Sequence, residues 1–201
     1  HFIMQNSTSK VRVLTGTAML GAVAAVLMYL EFPIPIMPAF VKLDVSELPA
    51  LIASFAYGPV SGILVCLIKN LIKLPSTSTA AVGELFNFVM GALFVGVAGL
   101  IYKRNKTRKG AIVGALLGAL VMAVVSVPYN YFIVYPAYVV MYHLPLDAII
   151  GMYQAINPNV NGLLACLLVF NLPFTFVKGA LDAVLCFLVY KPLSPILHGR
   201  K

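Results

Sequence analysis

From Gly110 to Ile133 the chain reads GAIVGALLGALVMAVVSVPYNYFI, 24 residues without one charged side chain. A helix of that length rises roughly 36 Å, enough to cross the ~30 Å hydrocarbon core of a bilayer. Immediately before it stand Lys103, Arg104, Lys106, Arg108 and Lys109, with no carboxylate among them. An uncharged apolar run abutting a basic cluster reads as a transmembrane helix held by its cytoplasmic end.

The rest of the chain repeats this pattern. Of 201 residues, 61% are hydrophobic and 10% charged, whereas a soluble domain carries about 25% charged residues. Most of the outer surface must therefore face lipid. No sustained period-two alternation is present, which argues against a transmembrane barrel. Six spans are predicted, at about 11–31, 46–57, 60–74, 81–102, 110–133 and 172–190, in a single transmembrane domain over 4–201. His1-Phe2-Ile3 ahead of Met4 reads as a cloning leftover, and the first apolar run, lacking a convincing cleavage site, as a retained span. Pro33, Pro35 and Pro38 end span 1, Gly58-Pro59 separates spans 2 and 3, and Pro173 is expected to open span 6 from its first turn. Spans 2 and 3 fall short of the roughly 20 residues of a full crossing. They form either a hairpin shielded by neighbours or a crossing with thinned ends. Residues 134–170 read as an outer loop with short, partly buried pieces.

Charge sets the expected orientation. With six spans, Lys10, Arg12, the five basic residues of the 4–5 loop, Lys191, Arg200 and Lys201 share one side, ten of the fourteen Lys and Arg residues. The positive-inside rule then places both termini in the cytoplasm. The acids Glu31, Asp44, Glu47, Glu84, Asp147 and Asp182 fall on the outer side or within the bundle. Because the net charge of +8 flanks apolar runs, it does not indicate a nucleic-acid-binding face. Cys66, Cys166 and Cys186 lack CxxC spacing or His partners and read as small apolar packers. The sequence contains no P-loop, HExxH, GxSxG or His cluster, so no ATPase, other enzyme or metal site is expected. No repeated half suggests a pseudo-symmetric transporter.

Ionisable and amide side chains inside spans are the candidate site, because placing them in lipid is costly. Glu47 opens span 2 after Lys42 and Asp44. Glu84 and Asn87 share one face of span 4 with Phe88 and Gly91. Asn171, Thr175, Lys178 and Asp182 share one face of span 6, and Asn130 lies between Tyr129 and Tyr131 near the outer end of span 5. All but the deeper Asp182 fall in the outer half, where with Phe and Tyr neighbours they suit a small planar polar ligand. Plainer readings exist: Glu47 and Glu84 as helix-start carboxylates, Asn171 as a cap, Lys178 as an i+4 partner of Asp182. Ala18-xxx-Ala22 and Gly21-xxx-Ala25 give span 1 a smooth strip, as Gly110-xxx-Gly114-xxx-Gly118 does for span 5, for packing within the bundle or docking to a second membrane protein.

Several stretches carry a resemblance: Phe32-Pro33-Ile34-Pro35, Lys42-Leu43-Asp44-Val45-Ser46-Glu47-Leu48-Pro49, Gly58-Pro59, Gly83-Glu84-Leu85-Phe86-Asn87-Phe88, Tyr129-Asn130-Tyr131, and Asn171-Leu172-Pro173-Phe174 through Lys178-Gly179. In order along nearly the whole chain, they resemble the substrate-binding S components of energy-coupling-factor (ECF) vitamin transporters, most closely the riboflavin-specific branch. The resemblance implies a six-helix fold that captures the vitamin from outside under the span 1–2 loop. It also implies a transmembrane coupling subunit and two cytoplasmic ATPases whose ATP hydrolysis reorients the S component. Ala18 and Ala22 match the docking motif. Glu47, Asn130, Asn171 and Lys178 are the implied partners of the flavin edge and ribityl chain, followed by Lys42, Asp44, Glu84 and Asn87, with aromatic rings stacking on the isoalloxazine. Riboflavin would be a bound substrate, no cofactor is expected, and the location is a bacterial cell membrane. An S component for another vitamin, such as pantothenate or a biotin-like acid, and a self-sufficient secondary transporter are the alternatives.

Overall fold

The computed structural model describes residues 2–198; Arg200 and Lys201 of the expected basic tail, and His1, lie outside the described residues. Nine helices follow one another among these residues: α1 (Phe2–Tyr29), α2 (Glu47–Tyr57), α3 (Pro59–Lys73), α4 (Val82–Arg104), α5 (Arg108–Tyr129), α6 (Tyr135–Tyr142), α7 (Leu146–Gln154), α8 (Leu163–Cys166) and α9 (Leu172–His198). The α1–α2 loop carries a two-stranded ribbon, β1 (Phe32–Pro33) with β2 (Lys42–Leu43), paired antiparallel.

Five helical segments are long and apolar enough to cross a membrane: Ser9–Tyr29, Pro59–Ser76, Val82–Arg104, Arg108–Tyr142 and Leu163–Pro192. The expected second span is the 11-residue α2, roughly 16 Å long and too short to cross alone. Ala50, Leu51 and Ala53 are completely buried, and α2 packs against α1, α3, α4 and α9. α2 is therefore enclosed by its neighbours on several sides. Gly58, with φ 105°, reverses the chain between α2 and α3 in a region L side chains avoid.

The expected loop over 134–170 and the expected start of span 6 at 172 both need correction. α5 runs into α6 through a π turn at Asn130–Val134, and α8 runs into α9 through another at Leu167–Asn171. Pro136 and Pro173 follow these turns. A proline ring strikes the carbonyl four residues back, here Phe132 and Val169, and both carbonyls lie inside the widened π turns. The helix swells where the proline would otherwise break it. Pro173 thus sits within a continuous helix instead of opening one, which also removes the capping role for Asn171.

The glycine strip of α5 packs within the bundle: a side chain at Gly114 or Gly118 would strike the α4 backbone at Ala98 or Phe94. On α1 the two small-residue strips separate. Gly21 meets Ile68 of α3 and Ala25 is buried, whereas Ala18 and Ala22 are exposed beside Leu14 and Val26. All three cysteines are buried free thiols.

A side chain at Gly16 would strike Tyr57, and one at Gly99 would strike Pro59. The α1 segment around Gly16, the α2–α3 turn and the end of α4 that leads into the basic loop therefore lie together, toward one end of the bundle. At the opposite end a second apolar cluster, including Met37, Tyr135, Ile149, Tyr153 and Phe170, holds the α1–α2 loop against α6–α8.

Candidate ligand-binding site

A cavity of about 230 Å³ lies beside this cluster, at the end away from the basic loop, and shares Tyr135 with it. Glu47, Asn130, Asn171 and Lys178 line it, and so do Lys42, Asp44, Glu84 and Asn87. The fold thus brings all eight residues singled out in the sequence to one space, from four helical segments and one loop. Phe40, Phe86, Phe174, Tyr135 and Tyr138 supply aromatic walls.

The floor is a buried charge network. Glu47 begins α2, but its carboxylate does more than complement that helix end. Oε1 is 2.9 Å from Lys69 Nζ and Oε2 is 3.4 Å from Lys178 Nζ. Lys69 also donates to Ser46 Oγ at 2.6 Å, and Ser46 donates both its hydroxyl and its backbone N–H to Asp44 Oδ1. Burial pushes the Asp44 carboxyl up, but the Lys178 and Lys69 ammonium groups and the two Ser46 hydrogen bonds outweigh it and hold the acid below its ordinary range. The expected Lys178–Asp182 pair is not what the fold makes. Lys178 turns to Glu47, and Asp182, 1% exposed, has no hydrogen-bond partner on either carboxylate oxygen.

The walls carry amides and hydroxyls. Glu84, in the first turn of α4, accepts from Thr77 Oγ1 at 2.7 Å and Thr79 Oγ1 at 3.0 Å. Asn87 Oδ1 accepts from Asn70 Nδ2 at 3.3 Å. Asn130 and Asn171 both sit in the π turns, whose extra residue rotates the following helix face. At the mouth, Glu31 bridges Lys42 at 3.6 Å and Lys73 at 3.1 Å. Phe40, from the α1–α2 loop, stands edge-on to Tyr135 and Tyr153, so the loop caps this side of the cavity.

Sequence reasoning missed Lys69, Lys73 and Tyr153. The two lysines had a signal, since each is a charge within or at the end of a short span. Tyr153 had none, being one tyrosine in a stretch read as loop.

This arrangement defines a multi-pass helical membrane protein with a capped polar-aromatic cavity suited to a small ligand. The family described as "ECF transporter, substrate-specific component" matches residues 12–190. Riboflavin transporter RibU of Staphylococcus aureus (strain TCH60) is 34% identical over 180 residues, 90% of this chain and 89% of that protein. Riboflavin transporter FmnP of Bacillus subtilis (strain 168) is 34% identical over 195 residues, 96% of this chain and 97% of that one. A solved structure described as "Structure and mechanism of the S component of a bacterial ECF transporter" matches with a TM-score of 0.73 and 32% identity, over 94% of this chain and 98% of the other. The chain belongs to the substrate-specific S components of ECF transporters.

Proposed function

We propose that this S component captures riboflavin and delivers it inward with an ECF coupling subunit and two ATPases. The observation that carries this reading is the cavity's chemistry: ammonium and amide groups on its floor and walls beside aromatic faces, the complement of a flat heteroaromatic ring with a polar edge and a hydroxylated chain. Two relatives of matching length named as riboflavin transporters support it. Glu47, Asn130, Asn171 and Lys178 are the principal polar contacts, and Lys42, Asp44, Glu84 and Asn87 complete the lining. Riboflavin is substrate and not cofactor, and the chain carries no catalytic role of its own.

In the membrane, α2 makes the sixth crossing with thinned ends, within a single domain over 4–201. The basic α4–α5 loop and both termini face the cytoplasm, and the cavity opens outward in a bacterial cell membrane. The exposed Ala18 and Ala22 form the docking strip for the coupling subunit, a reading supported by their separation from the buried Gly21 and Ala25.

An absorbance spectrum of the purified protein tests the substrate. Flavin bands should accompany it from riboflavin-replete cells, and failure to bind riboflavin at micromolar concentration would sink the reading.

A further inference from the structure

Behind the cavity wall, three polar side chains close a ring. The Tyr135 and Tyr153 hydroxyls are hydrogen-bonded to each other, Tyr153 Oη lies 2.7 Å from Asn171 Oδ1, and Asn171 Nδ2 lies 3.5 Å from Tyr135 Oη. Tyr153 is completely buried and Asn171 is 7% exposed. Tyr135 and Asn171 line the cavity, whereas Tyr153 stands behind them.

Proton counting gives the ring a direction. A contact of 2.7 Å suits O–H···O better than N–H···O, which centres nearer 2.9–3.0 Å, so the amide oxygen is the atom facing Tyr153. A phenol has one proton to donate, and Tyr153 spends its proton on Asn171. Tyr135 must then donate to Tyr153, which leaves its oxygen free to accept from Asn171 Nδ2. One N–H of Asn171 remains, on the cavity side. We propose that Tyr153 is a positioning residue for the binding site: it holds the Asn171 amide oxygen away from the cavity, so that Asn171 offers the ligand an N–H and selects a hydrogen-bond acceptor there.

Lys178 lies seven residues on, on the same helix face, and is also a donor. The two together suit a ligand edge with acceptors, such as the carbonyls of a pyrimidinedione ring. The ring is also tied to the cap, because Phe40 packs edge-on against both tyrosines. Tyr153 does not line the cavity and reaches a ligand through its neighbours, and Tyr153→Phe, which keeps the ring against Phe40, isolates the part its hydroxyl plays through Asn171.

The choice of riboflavin as probe rests on the proposed function. Riboflavin fluorescence quenching by the full chain in micelles is measured for Tyr153→Phe, Asn171→Ala, Lys178→Ala and the doubles Tyr153→Phe/Asn171→Ala and Tyr153→Phe/Lys178→Ala. Tyr153→Phe should raise Kd roughly tenfold, the scale of one polar contact. Asn171→Ala should add little in that background, while Lys178→Ala adds its full factor. An unchanged Kd in Tyr153→Phe, or equal additivity with both partners, overturns the assignment, because a merely structural role would degrade both contacts alike. A second readout needs no ligand. In protein carrying 15N-asparagine, the Asn171 side-chain amide signals, identified by their loss in Asn171→Ala, should shift in Tyr153→Phe while those of Asn130 stay in place. If they do not shift, the ring does not hold the amide. A wild-type chain that quenches no riboflavin removes the substrate reading, and the amide spectrum then decides this inference alone.

Discussion

Lys69 Nζ stands 2.9 Å from Glu47 Oε1 with both side chains withdrawn from solvent, 0% and 3% exposed. The contact joins α3 to the start of α2 beneath the cavity, and through Ser46 it reaches Asp44 in the capping loop. One buried cation therefore organises both the floor of the site and the base of its cover.

Removing that cation should be costly. Lys69→Met keeps much of the volume but leaves Glu47 with Lys178 alone and takes a donor from Ser46. Breaking a buried pair from one side costs about 3–5 kcal/mol. A thermal melt in micelles should show a large drop, and a variant as stable as wild type would mean that Lys178 alone satisfies Glu47.

Lys178→Ala and Asn171→Ala should each weaken riboflavin binding by roughly 1–3 kcal/mol, the range for lost polar contacts to buried groups. Fluorescence quenching measures both. Wild-type affinity in either variant would return that side chain to a purely structural role.

A bulky residue on the exposed strip of α1, Ala18→Trp or Ala22→Trp, should abolish riboflavin uptake by cells while leaving binding intact. Gly21→Leu is the contrasting variant: its side chain would strike Ile68 and should lower the melting temperature. Loss of binding in Ala18→Trp would place that residue in internal packing.

Acid should loosen the cap through Asp44. Its carboxyl is held below the ordinary value of 3.8, since the lysines and Ser46 outweigh burial. A depressed folded value means the stabilisation is complete above the unfolded pKa and lost as pH falls through the folded one. Asp44 should therefore contribute fully at neutral and mildly acidic pH, and its contribution should fade only below about pH 4. Melting temperature plotted against pH should fall less steeply in that acid range for Asp44→Asn; identical slopes would show that Asp44 adds nothing.

Much of the site was legible because membrane residence makes polarity conspicuous. Glu47, Asn130, Asn171 and Lys178 each stand out against apolar sequence, and the fold brings them to one cavity. Their plainer readings could not be settled in one dimension. Lys178 and Asp182 stand one turn apart on α9, yet the stronger partner was Glu47, from a helix more than 120 residues earlier in the chain. Asn171 before Pro173 resembles a helix cap until a π turn carries the helix straight through.

The sequence by itself determined that this is a multi-span helical membrane protein with a basic 4–5 loop, because lipid permits few charged side chains and each apolar run is a local property of consecutive residues. It also placed Ala18 with Ala22 and Gly21 with Ala25 on small-residue strips. Only the tertiary structure decided which strip faces outward, that α2 is a buried 11-residue helix, that Lys69 anchors the floor, and that Tyr153 stands behind Asn171. Each of these depends on what a neighbouring helix brings alongside. Burial, ion pairing and the direction of a shared proton belong to pairs of residues, and most of these pairs lie far apart in the chain.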